Sequence, residues 1–582
     1  MGGFRGSQPV VRFGAYELDQ GAGELRKEGV RIRLQDQPLQ MLLLLLEQPG
    51  RIITREELRQ KIWSSDTFVD YDHGINNAIK RLRETLGDTA ETPRFIETLP
   101  KRGYRFIAAV DDKTTVSRVA SSAIDSIVVL PFETASSDPN TEYLAIGIPG
   151  SVTHSLSQIP DLRVISWKSA ARVEGGTADP LGIARKLGVR VVLSGRIWQR
   201  ENKLRLHVDL LEAESGEEIW GDQYDSDLTE LFIVQDSIAR EVSRNLRLKM
   251  TGETEHRLVK RYTENIEAYH LYVRGRRWCE KRSSEGFRRG IEYLGQAVQL
   301  DPKYAAAYAE LAQCLAVPCY YGSVDPGEAY PKARSAALRA LELDPDLAEA
   351  HAVLALILHT YDWNWSAAEK EYRRAIELNP NYTISRYHYS YFLVESGRYS
   401  EALDEATEAL SRDPVSGILN AALAFVLLIA RQYDRSIVQA HTAIEVDPEM
   451  TLSYVVLGTA YAQTGQLSEA IKAYEKGIAL GGMVSYQKAF IGCIEANSGE
   501  TAKAWKRLHE LEQDALTSYV PCMATAFVYA ALGEYHKAIE KLEKACEGRE
   551  TNLVFLKTWP FLDALRDDAR FQKIEHQVGL RN

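Results

Sequence analysis

The sequence predicts a multidomain protein with α+β and all-α parts: an N-terminal α+β domain, a small α/β domain and a long α-solenoid. Three observations predict this order. The first 110 residues show a pattern of helices followed by a hairpin, the middle alternates short apolar strands with helices, and the second half repeats every 34 residues. The predicted boundaries are 10–110 for the N-terminal domain, 111–124 for a linker, 125–250 for the α/β domain, 265–548 for the repeats and 549–582 for a C-terminal cap.

Charge is distributed unevenly along the chain. The 582 residues carry a net charge of -11, but residues 1–110 hold 17 Lys+Arg against 15 Asp+Glu, so the remainder carries -13. Residues 1–110, called the head below, are thus slightly basic, and the rest of the chain is acidic. This distribution fits a protein that binds nucleic acid at one end. No apolar run approaches the roughly 18 residues of a membrane span, and the N-terminus lacks a signal-peptide core. We therefore expect a cytoplasmic protein with no membrane partner.

The cysteines give no sign of a metal site. All six lie between Cys279 and Cys546, and none forms a CxxC pair. Cys314 and Cys319 are the closest pair in sequence, and no histidine lies near them. We interpret the six as small buried side chains in a reducing compartment, and we expect neither a metal nor a cofactor.

The head begins with short strands and continues with three helices and a hairpin. Thr54 and Glu57 form a near capping box at the start of the second helix, which ends near Trp63. The predicted elements are strands at 13–18 and 30–34, helices at 38–48, 54–63 and 74–86, and hairpin strands at 95–99 and 104–108.

The third helix of the head is amphipathic. Ile75, Ile79, Leu82 and Leu86 form one apolar stripe. The other face carries residues suited to DNA, because arginine reads guanine, asparagine reads adenine and lysine neutralises phosphate. These residues are Asn76, Asn77, Lys80, Arg81 and Arg83. A basic hairpin tip with Lys101 and Arg102 suits the minor groove. Taken alone, such a polar face is more often simply solvated.

Two strings in this region have the expected spacing for a known family. The stretch ITREELRQKIW … VDYDHGINNAIKRLRETLGD … PRFIETLPKRGYRFIA, with its RLR core and RGYRF string, resembles the OmpR/PhoB-type winged-helix domain. The resemblance implies that the third helix lies in the major groove and that the hairpin is the wing. It also implies that the loop at 64–72 contacts RNA polymerase, through Asp66, Asp70 and Asp72. A capping and solubilising loop is the alternative interpretation.

The head also departs from its family. Response regulators place a receiver domain before the winged helix, and membrane-bound CadC-like relatives place a spanning segment after it. About ten residues precede the predicted domain here, and residues 111–125 contain no spanning segment. We therefore expect no aspartyl-phosphate input and no membrane anchor.

The middle domain shows strands near 127–132, 162–166, 190–198, 204–211 and 217–224, with helices near 143–158, 180–187 and 228–246. The strings SIVVLPF, EYLAIGI and IWGDQYD resemble the TolB-like N-terminal domain. There is no phosphate-binding GxxxxGK[ST] loop and no nucleophile motif beside His154, which we interpret as structural. We expect no enzyme, while a ligand pocket stays open as an alternative.

The repeat is marked by turns exactly one period apart: Trp363, Gly397, Arg431, Gly465, Gly499 and Gly533. Small residues recur with the same spacing from Ala368 to Ala538, and Pro302 and Pro345 enclose one longer unit. The pattern resembles the tetratricopeptide repeat, with its best unit at 451–482, where Tyr454, Leu457, Gly458, Tyr461, Ala470 and Tyr474 match the signature. About eight helical hairpins are expected, stacked into a groove for a protein or peptide partner.

Together these features predict a one-component transcriptional regulator. The head binds double-stranded DNA, the middle domain couples or senses a signal, and the repeats bind a partner. Two alternatives stay open: a scaffold that DNA binding merely anchors, and an unrecognised ligand-binding or enzymatic role of the middle domain. The sequence does not reveal the operator, the inducer or the oligomeric state.

Overall fold

The computed structural model divides the chain into two compact units, 1–122 and 123–582. The residues that the structure describes are 10–13, 16–19, 24–27, 30–32, 34, 36–47, 52–62, 71–89, 93–99, 103–108, 110–112, 124–134, 139–165, 169–170, 179–200, 202–246, 248, 258, 260 and 262–580.

The first unit combines two antiparallel sheets with three helices. One sheet has the strand order β4-β3-β2-β1-β8, and the other has the order β5-β7-β6. In the chain, α1 lies between β4 and β5, and α2 and α3 lie between β5 and β6. The elements are β1 Val10–Phe13, β2 Tyr16–Asp19, β3 Glu24–Lys27, β4 Val30–Ile32, α1 Asp36–Glu47, β5 Ile52–Thr54, α2 Arg55–Ile62, α3 Tyr71–Leu86, β6 Ile96–Leu99, β7 Gly103–Phe106 and β8 Val110–Asp112.

Three element boundaries in this unit differ from the sequence-based expectation. The predicted strand at 13–18 is two strands, β1 and β2, paired antiparallel from Phe13↔Tyr16 to Val10↔Asp19. Strand β8 enters the predicted linker, because Asp111 and Asp112 pair with β1. Helix α3 begins three residues before Gly74.

Aromatic side chains join the two sheets of the first unit. The ring of Phe13 packs edge-on against Phe95 at 5.9 Å and Phe106 at 5.3 Å between centroids. Tyr16 also packs edge-on against Phe95, at 5.6 Å. These contacts belong to a buried core that includes the apolar stripe of α3. The first unit therefore has a hydrophobic core of its own.

The second unit begins with a mixed sheet of order β11-β9-β12-β13-β14, in which β9 pairs in parallel with β11 and β12. The two hairpins β12–β13–β14 are antiparallel. Buried apolar side chains of the helices cover the sheet. The elements are β9 Ser126–Val129, β10 Glu133–Thr134, α4 Pro139–Ser157, β11 Arg163–Ile165, α5 Pro180–Leu187, β12 Val191–Arg200, β13 Lys203–Glu212, β14 Glu218–Asp227, a 3-10 turn Leu228–Glu230 and α6 Leu231–Asn245.

Eight antiparallel helical hairpins follow within residues 266–547, all of which are described, as the 34-residue period predicts. They are α7 Ile266–Cys279 with α8 Ser284–Leu300, α9 Ala305–Tyr320 with α10 Pro326–Leu343, α11 Ala348–Thr360 with α12 Trp365–Leu378, α13 Thr383–Glu395 with α14 Tyr399–Arg412, α15 Gly417–Ile429 with α16 Tyr433–Val446, α17 Thr451–Gln463 with α18 Leu467–Ala479, α19 Val484–Asn497 with α20 Thr501–Asp514, and α21 Cys522–Ala531 with α22 Tyr535–Glu547.

Every hairpin turn contains one residue with left-handed backbone. In the eight turns these residues are Arg282, Gly322, Trp363, Gly397, Arg431, Gly465, Gly499 and Gly533. Glycine adopts a positive φ without steric cost, whereas a side chain makes it unfavourable. The sequence alignment of the turns is therefore confirmed, including its two positions without glycine.

The recurring small residues are fully buried, from Ala368 through Ser436 to Ala538. They let the two helices of a hairpin approach closely. The extra residues of the second hairpin do not form a separate loop, because α9 and α10 extend to 16 and 18 residues. The helices α11 and α12 of the next hairpin have 13 and 14 residues.

The C-terminal segment, residues 549–580, does more than cap the last hairpin. It contains two 3-10 turns, Thr551–Phe555 and Pro560–Leu565, and helix α23, Ala569–Val578. Arg570 pairs with Glu543 of α22 at 2.6 Å, as a cap requires. The segment also reaches far back along the array, since the Val578 carbonyl accepts a hydrogen bond of 2.8 Å from the Trp365 indole.

Aromatic side chains of the C-terminal segment pack on the first helices of several hairpins. Phe555 contacts Phe425 at 5.3 Å, and Trp559 contacts Phe490 at 5.3 Å between ring centroids. Phe561 stacks on Phe490 at 4.8 Å. The inner face of the array, where a partner was expected to bind, is thus covered along these hairpins by the chain itself.

The α/β part of the second unit is bound to the array by polar contacts. The Asn381 side-chain amide donates to the carbonyl oxygens of Ser157, Ile159 and Leu162 over 2.9 to 3.1 Å. The Ser169 hydroxyl donates to Asp413 over 2.6 Å. These bonds connect the end of α4, the segment between α4 and β11, and Ser169 after β11 with turns between hairpins.

One interpretation of the cysteines is wrong. Cys279 of α7 and Cys314 of α9 form a disulfide, although 35 residues separate them in sequence. Sequence spacing could not reveal the pair, because stacking of two hairpins brings the helices together. Cys319, Cys493 and Cys546 are free and buried, as expected. No helix among the described residues has the length and apolar character needed to cross a membrane.

Candidate nucleic-acid interface

Helix α3 separates a buried apolar face from an exposed polar one. Ile75, Ile79 and Leu82 are at most 2% exposed and belong to the core. Four of the five residues predicted to face DNA lie exposed on the other side of the helix. They are Asn76, Asn77, Lys80 and Arg81. The core contacts of the apolar stripe fix the rotation of the helix, so this polar face points away from the core of the first unit.

The fifth predicted residue, Arg83, has a different environment. Its guanidinium donates from Nη2 to the Ile96 carbonyl over 2.7 Å and to the Thr98 hydroxyl over 2.9 Å. Arg83 is only partly exposed, and its bonds attach α3 to strand β6 of the hairpin. Arg83 thus supports the hairpin, and its contact with DNA stays a prediction.

Asn76 is exposed but held in a fixed orientation. Its side-chain carbonyl accepts a hydrogen bond of 2.9 Å from the Tyr104 hydroxyl and one of 3.0 Å from Arg55. Arg55 also donates to the Tyr104 hydroxyl over 3.0 Å. The carbonyl oxygen is thus used inside the protein, and the amide NH₂ group is the part of Asn76 that can serve as a donor to a ligand.

The start of the hairpin is fixed by Asp88, which is separated from the end of α3 only by Gly87. Its carboxylate accepts four backbone N–H bonds, from Thr89, Arg94, Phe95 and Ile96, over 2.7 to 3.2 Å. Asp88 is 7% exposed, so these bonds satisfy an otherwise costly buried charge. The hairpin is therefore held at a defined position relative to α3.

Gly103 fixes the other end of the hairpin. It pairs with Thr54 of β5 and with Leu99 of β6. Its φ is +144°, and a Cβ there would lie 2.0 Å from the Ile53 carbonyl oxygen. No other residue fits, which explains the glycine in the RGYRF string.

The capping box of α2 is confirmed. The Thr54 N–H donates to Glu57 over 2.8 Å, and the Glu57 N–H donates to the Thr54 hydroxyl over 3.2 Å. Arg55 follows at the first position of the helix. The box thus places the Arg55 side chain beside Asn76.

Lys101 and Arg102 at the hairpin tip, and Asp66 and Asp70 of the acidic loop, lie outside the described residues. Asp72 lies in the first turn of α3 rather than in a loop.

Sequence reasoning missed Arg55, Asp88 and Tyr104. The GD pair after α3 was a usable signal for Asp88, because a short acidic side chain often caps backbone N–H groups. The Arg55–Tyr104–Asn76 contacts had no such signal, since 49 residues separate Arg55 from Tyr104. Only the fold brings them together.

A family described as "Transcriptional regulatory protein, C terminal" matches residues 29–106, which include α3 and the hairpin. The N-terminal unit is an OmpR/PhoB-type DNA-binding domain. Residues 364–416 and 452–480 match tetratricopeptide repeats. The resemblances of the first domain and of the repeats are therefore confirmed, while the TolB-like resemblance of the middle domain stays a prediction.

Relatives extend the similarity beyond this domain. Transcriptional regulator HilA of Salmonella typhi is 25% identical over 412 residues, covering 69% of this chain and 70% of the relative. The cholera toxin homolog transcriptional activator of Vibrio parahaemolyticus is 36% identical over 91 residues, covering 16% of this chain and 31% of the relative.

Putative adenylate cyclase 3 of Rhizobium meliloti is 34% identical over 187 residues, which are 32% of each chain. The chain thus spans about a third of the length of that relative and of the Vibrio activator.

Proposed function

We propose that this OmpR/PhoB-type regulator binds double-stranded DNA sequence-specifically through α3 and controls transcription. One observation carries the proposal: the exposed face with Asn77, Lys80 and Arg81 lies opposite the buried stripe of α3. Arginine and asparagine distinguish base edges in the major groove, and lysine neutralises phosphate. The hairpin, held by Arg83 and Asp88, lies beside this helix as a wing.

Genome-wide mapping of the DNA bound by the full chain tests the proposal, combined with a reporter placed behind the strongest site. We expect discrete sites, reporter output that depends on the protein, and loss of both with Arg81→Ala. A uniform spread of bound DNA contradicts sequence-specific binding. Discrete sites without any reporter response favour the scaffold.

The contact with RNA polymerase is part of the same proposal. The acidic residues Asp66, Asp70 and Asp72 are candidates for meeting a basic polymerase surface through charge complementarity. Exchanging all three for asparagine should lower reporter output while leaving DNA affinity unchanged. An unaltered output would assign these residues a solubilising role instead.

We further propose that the repeat array binds a protein or peptide. Stacked hairpins offer long surfaces of the kind that tetratricopeptide proteins present to partners. Because residues 549–580 cover the inner face at several hairpins, a partner either uses the remaining surface or displaces this segment. Pull-down with the full chain and with a chain ending at residue 548 distinguishes the two cases.

A nucleotide cyclase activity is the second candidate function. It is favoured by the 34% identity to the putative adenylate cyclase. Incubation of the full chain with ATP and a divalent metal, followed by detection of cyclic AMP, decides this question. Turnover that survives removal of residues 1–122 would assign an enzymatic role to the second unit.

A further inference from the structure

Three side chains of the first unit form a closed cycle of hydrogen bonds beside the exposed face of α3. Arg55 Nη2 lies 3.0 Å from Asn76 Oδ1 and 3.0 Å from the Tyr104 hydroxyl, which itself lies 2.9 Å from Asn76 Oδ1. The three residues come from three elements, because Arg55 begins α2, Asn76 lies in the second turn of α3 and Tyr104 lies in β7. The cycle thus connects a residue that can face DNA to the body of the domain.

The chemistry of arginine fixes the direction of every bond in this cycle. A guanidinium has N–H donors and no acceptor, so the atom of Asn76 that faces Arg55 is the carbonyl oxygen and not the amide nitrogen. For the same reason the Tyr104 oxygen accepts from Arg55, and its hydroxyl hydrogen is left to donate to Asn76. Asn76 Oδ1 therefore accepts two hydrogen bonds, one from each partner.

These two bonds use the full acceptor capacity of Asn76, because a carbonyl oxygen has two lone pairs. Tyr104 is 3% exposed, so breaking its bond to Asn76 would deprive a buried hydroxyl of this acceptor, which is costly. Its ring is held in place as well, since the Arg55 guanidinium lies 5.4 Å from the ring centroid and Tyr104 pairs with Ile53 in the sheet. Asn76 thus offers a ligand the two N–H groups of Nδ2 and no acceptor.

A side chain that only donates distinguishes the bases differently from a free asparagine. A free asparagine reads adenine with one donor and one acceptor, its amide to N7 and its carbonyl to the N6 amino group. When the carbonyl is already occupied, the N6 amino group of adenine meets another donor. Guanine presents two neighbouring acceptors, N7 and O6, in the major groove. The occupied oxygen of Asn76 therefore favours guanine over adenine.

We propose that Asn76 is a donor-only specificity residue that selects guanine, and that Arg55 and Tyr104 are the positioning residues that exclude adenine. The inference rests on the proposed binding of DNA through α3 and adds the base that one residue of this helix reads. Asn76 lies on the same side of α3 as Arg83, seven residues further on, and Arg83 bonds the hairpin strand β6. The guanine is therefore expected on the hairpin side of the helix.

Selection of bound sequences from a random double-stranded DNA library tests the proposal, with the full chain and its variants. Asn76→Asp keeps one oxygen towards Arg55 and Tyr104 but replaces the outward amide with an acceptor. At one base-pair position the wild type should select guanine, and Asn76→Asp should select cytosine, whose N4 amino group donates to a carboxylate. The ratio of guanine to adenine at that position should fall about tenfold in the variant.

Tyr104→Phe tests whether the occupied oxygen is the cause of the preference. Loss of the hydroxyl releases one lone pair of Asn76 Oδ1 while Arg55 still holds the side chain, so selection at the same position should shift from guanine towards adenine. The matched control is Tyr16→Phe, which removes another hydroxyl from the buried core of the first unit. The Tyr16 hydroxyl donates to the Thr85 carbonyl of α3 over 3.4 Å and does not take part in the cycle. Sequences selected by this control should match those of the wild type.

Selection of adenine by the wild type at the position that Asn76→Asp alters overturns the proposal. So does an Asn76→Asp variant that changes the preference at no position, or a Tyr104→Phe variant with the wild-type preference. If Tyr104→Phe does not fold, the change from guanine to cytosine in Asn76→Asp decides alone. Wild-type selection without any preferred base contradicts the proposed sequence-specific binding itself, whereas preferences that these variants leave unchanged overturn only the role of Asn76.

Discussion

Arg81 and Arg83 lie two residues apart on α3, yet their surroundings predict opposite phenotypes. Arg81 is exposed on the polar face, whereas Arg83 bonds the backbone of β6. Arg81→Ala should cost roughly 1–3 kcal/mol of binding free energy at the preferred DNA site and relax its sequence preference. Arg83→Ala should instead lower the unfolding free energy of the first unit by about 1–3 kcal/mol, because the buried Ile96 carbonyl loses its side-chain partner.

Each of these two variants is the control for the other. Gel-shift titration measures DNA affinity, and thermal unfolding of a fragment of residues 1–122 measures stability. Wild-type DNA affinity and sequence preference in Arg81→Ala would show that α3 meets DNA in another register. An unchanged melting temperature in Arg83→Ala would show that its bonds to β6 contribute nothing to the fold.

Gly458 determines how closely two helices approach in the sixth hairpin. A Cβ at this position would lie 2.7 Å from the ring of Tyr474, which is fully buried and bonded to Thr459. Gly458→Leu should therefore overpack the hairpin and destabilise the array by about 1–3 kcal/mol. Differential scanning calorimetry measures the change. Gly465→Asn, in the open turn of the same hairpin, is the control and should be tolerated better.

At the scale of elements, the C-terminal segment depends on one buried carboxyl group. Glu550 accepts hydrogen bonds from the first N–H groups of α21, Cys522 over 2.6 Å and Met523 over 3.0 Å. Burial raises the pKa of Glu550 to about 7, although these backbone bonds act in the opposite direction. The segment that covers the inner face thus begins at a titratable group.

This raised pKa predicts a pH dependence. Between its ordinary pKa of 4.5 and about 7, the folded chain holds a proton that the unfolded chain has released. The contribution of Glu550 to stability is therefore fully present below pH 4.5 and falls by up to about 3 kcal/mol as the pH rises to 7. Glu550→Gln should remove this slope. Melting temperatures of both proteins from pH 4.5 to 8 measure it, and parallel curves would contradict the buried, protonated state.

Elements with local signals could be predicted from the sequence, and elements formed by distant contacts could not. The capping box at Thr54 and the turn positions of the repeats depend on neighbouring residues, so both were predicted correctly. The orientation of Arg83 depends on β6, which follows ten residues after α3. The path of residues 549–580 depends on contacts such as Trp365 with Val578, 213 residues apart. No periodicity encodes a contact of that kind.

The candidate site combines one feature that depends on local sequence with one that depends on distant contacts. The exposed face of α3 follows from helical periodicity, because an apolar stripe fixes the opposite side. The cluster of Arg55, Asn76 and Tyr104 requires three elements to meet, and a single sequence gives no evidence of that meeting. A pattern thus located the surface, and packing decided which of its side chains are held within the protein.

For the whole molecule, the division into two units predicts separable functions. The first unit has its own core and contains both parts of the proposed interface, α3 and the hairpin. A fragment of residues 1–122 should therefore bind DNA by itself, with an affinity that falls steeply as salt rises, because phosphate contacts release counterions. The same fragment should lose regulated output in cells, since the array belongs to the second unit.

Gel-shift titration at several salt concentrations measures the first effect, and a reporter driven by full-length and truncated proteins measures the second. A folded fragment that does not bind DNA would mean that the second unit contributes to binding, for example by pairing two chains. Regulation that persists in the fragment would mean that the signal does not enter through residues 123–582, and the repeats would then serve as a scaffold.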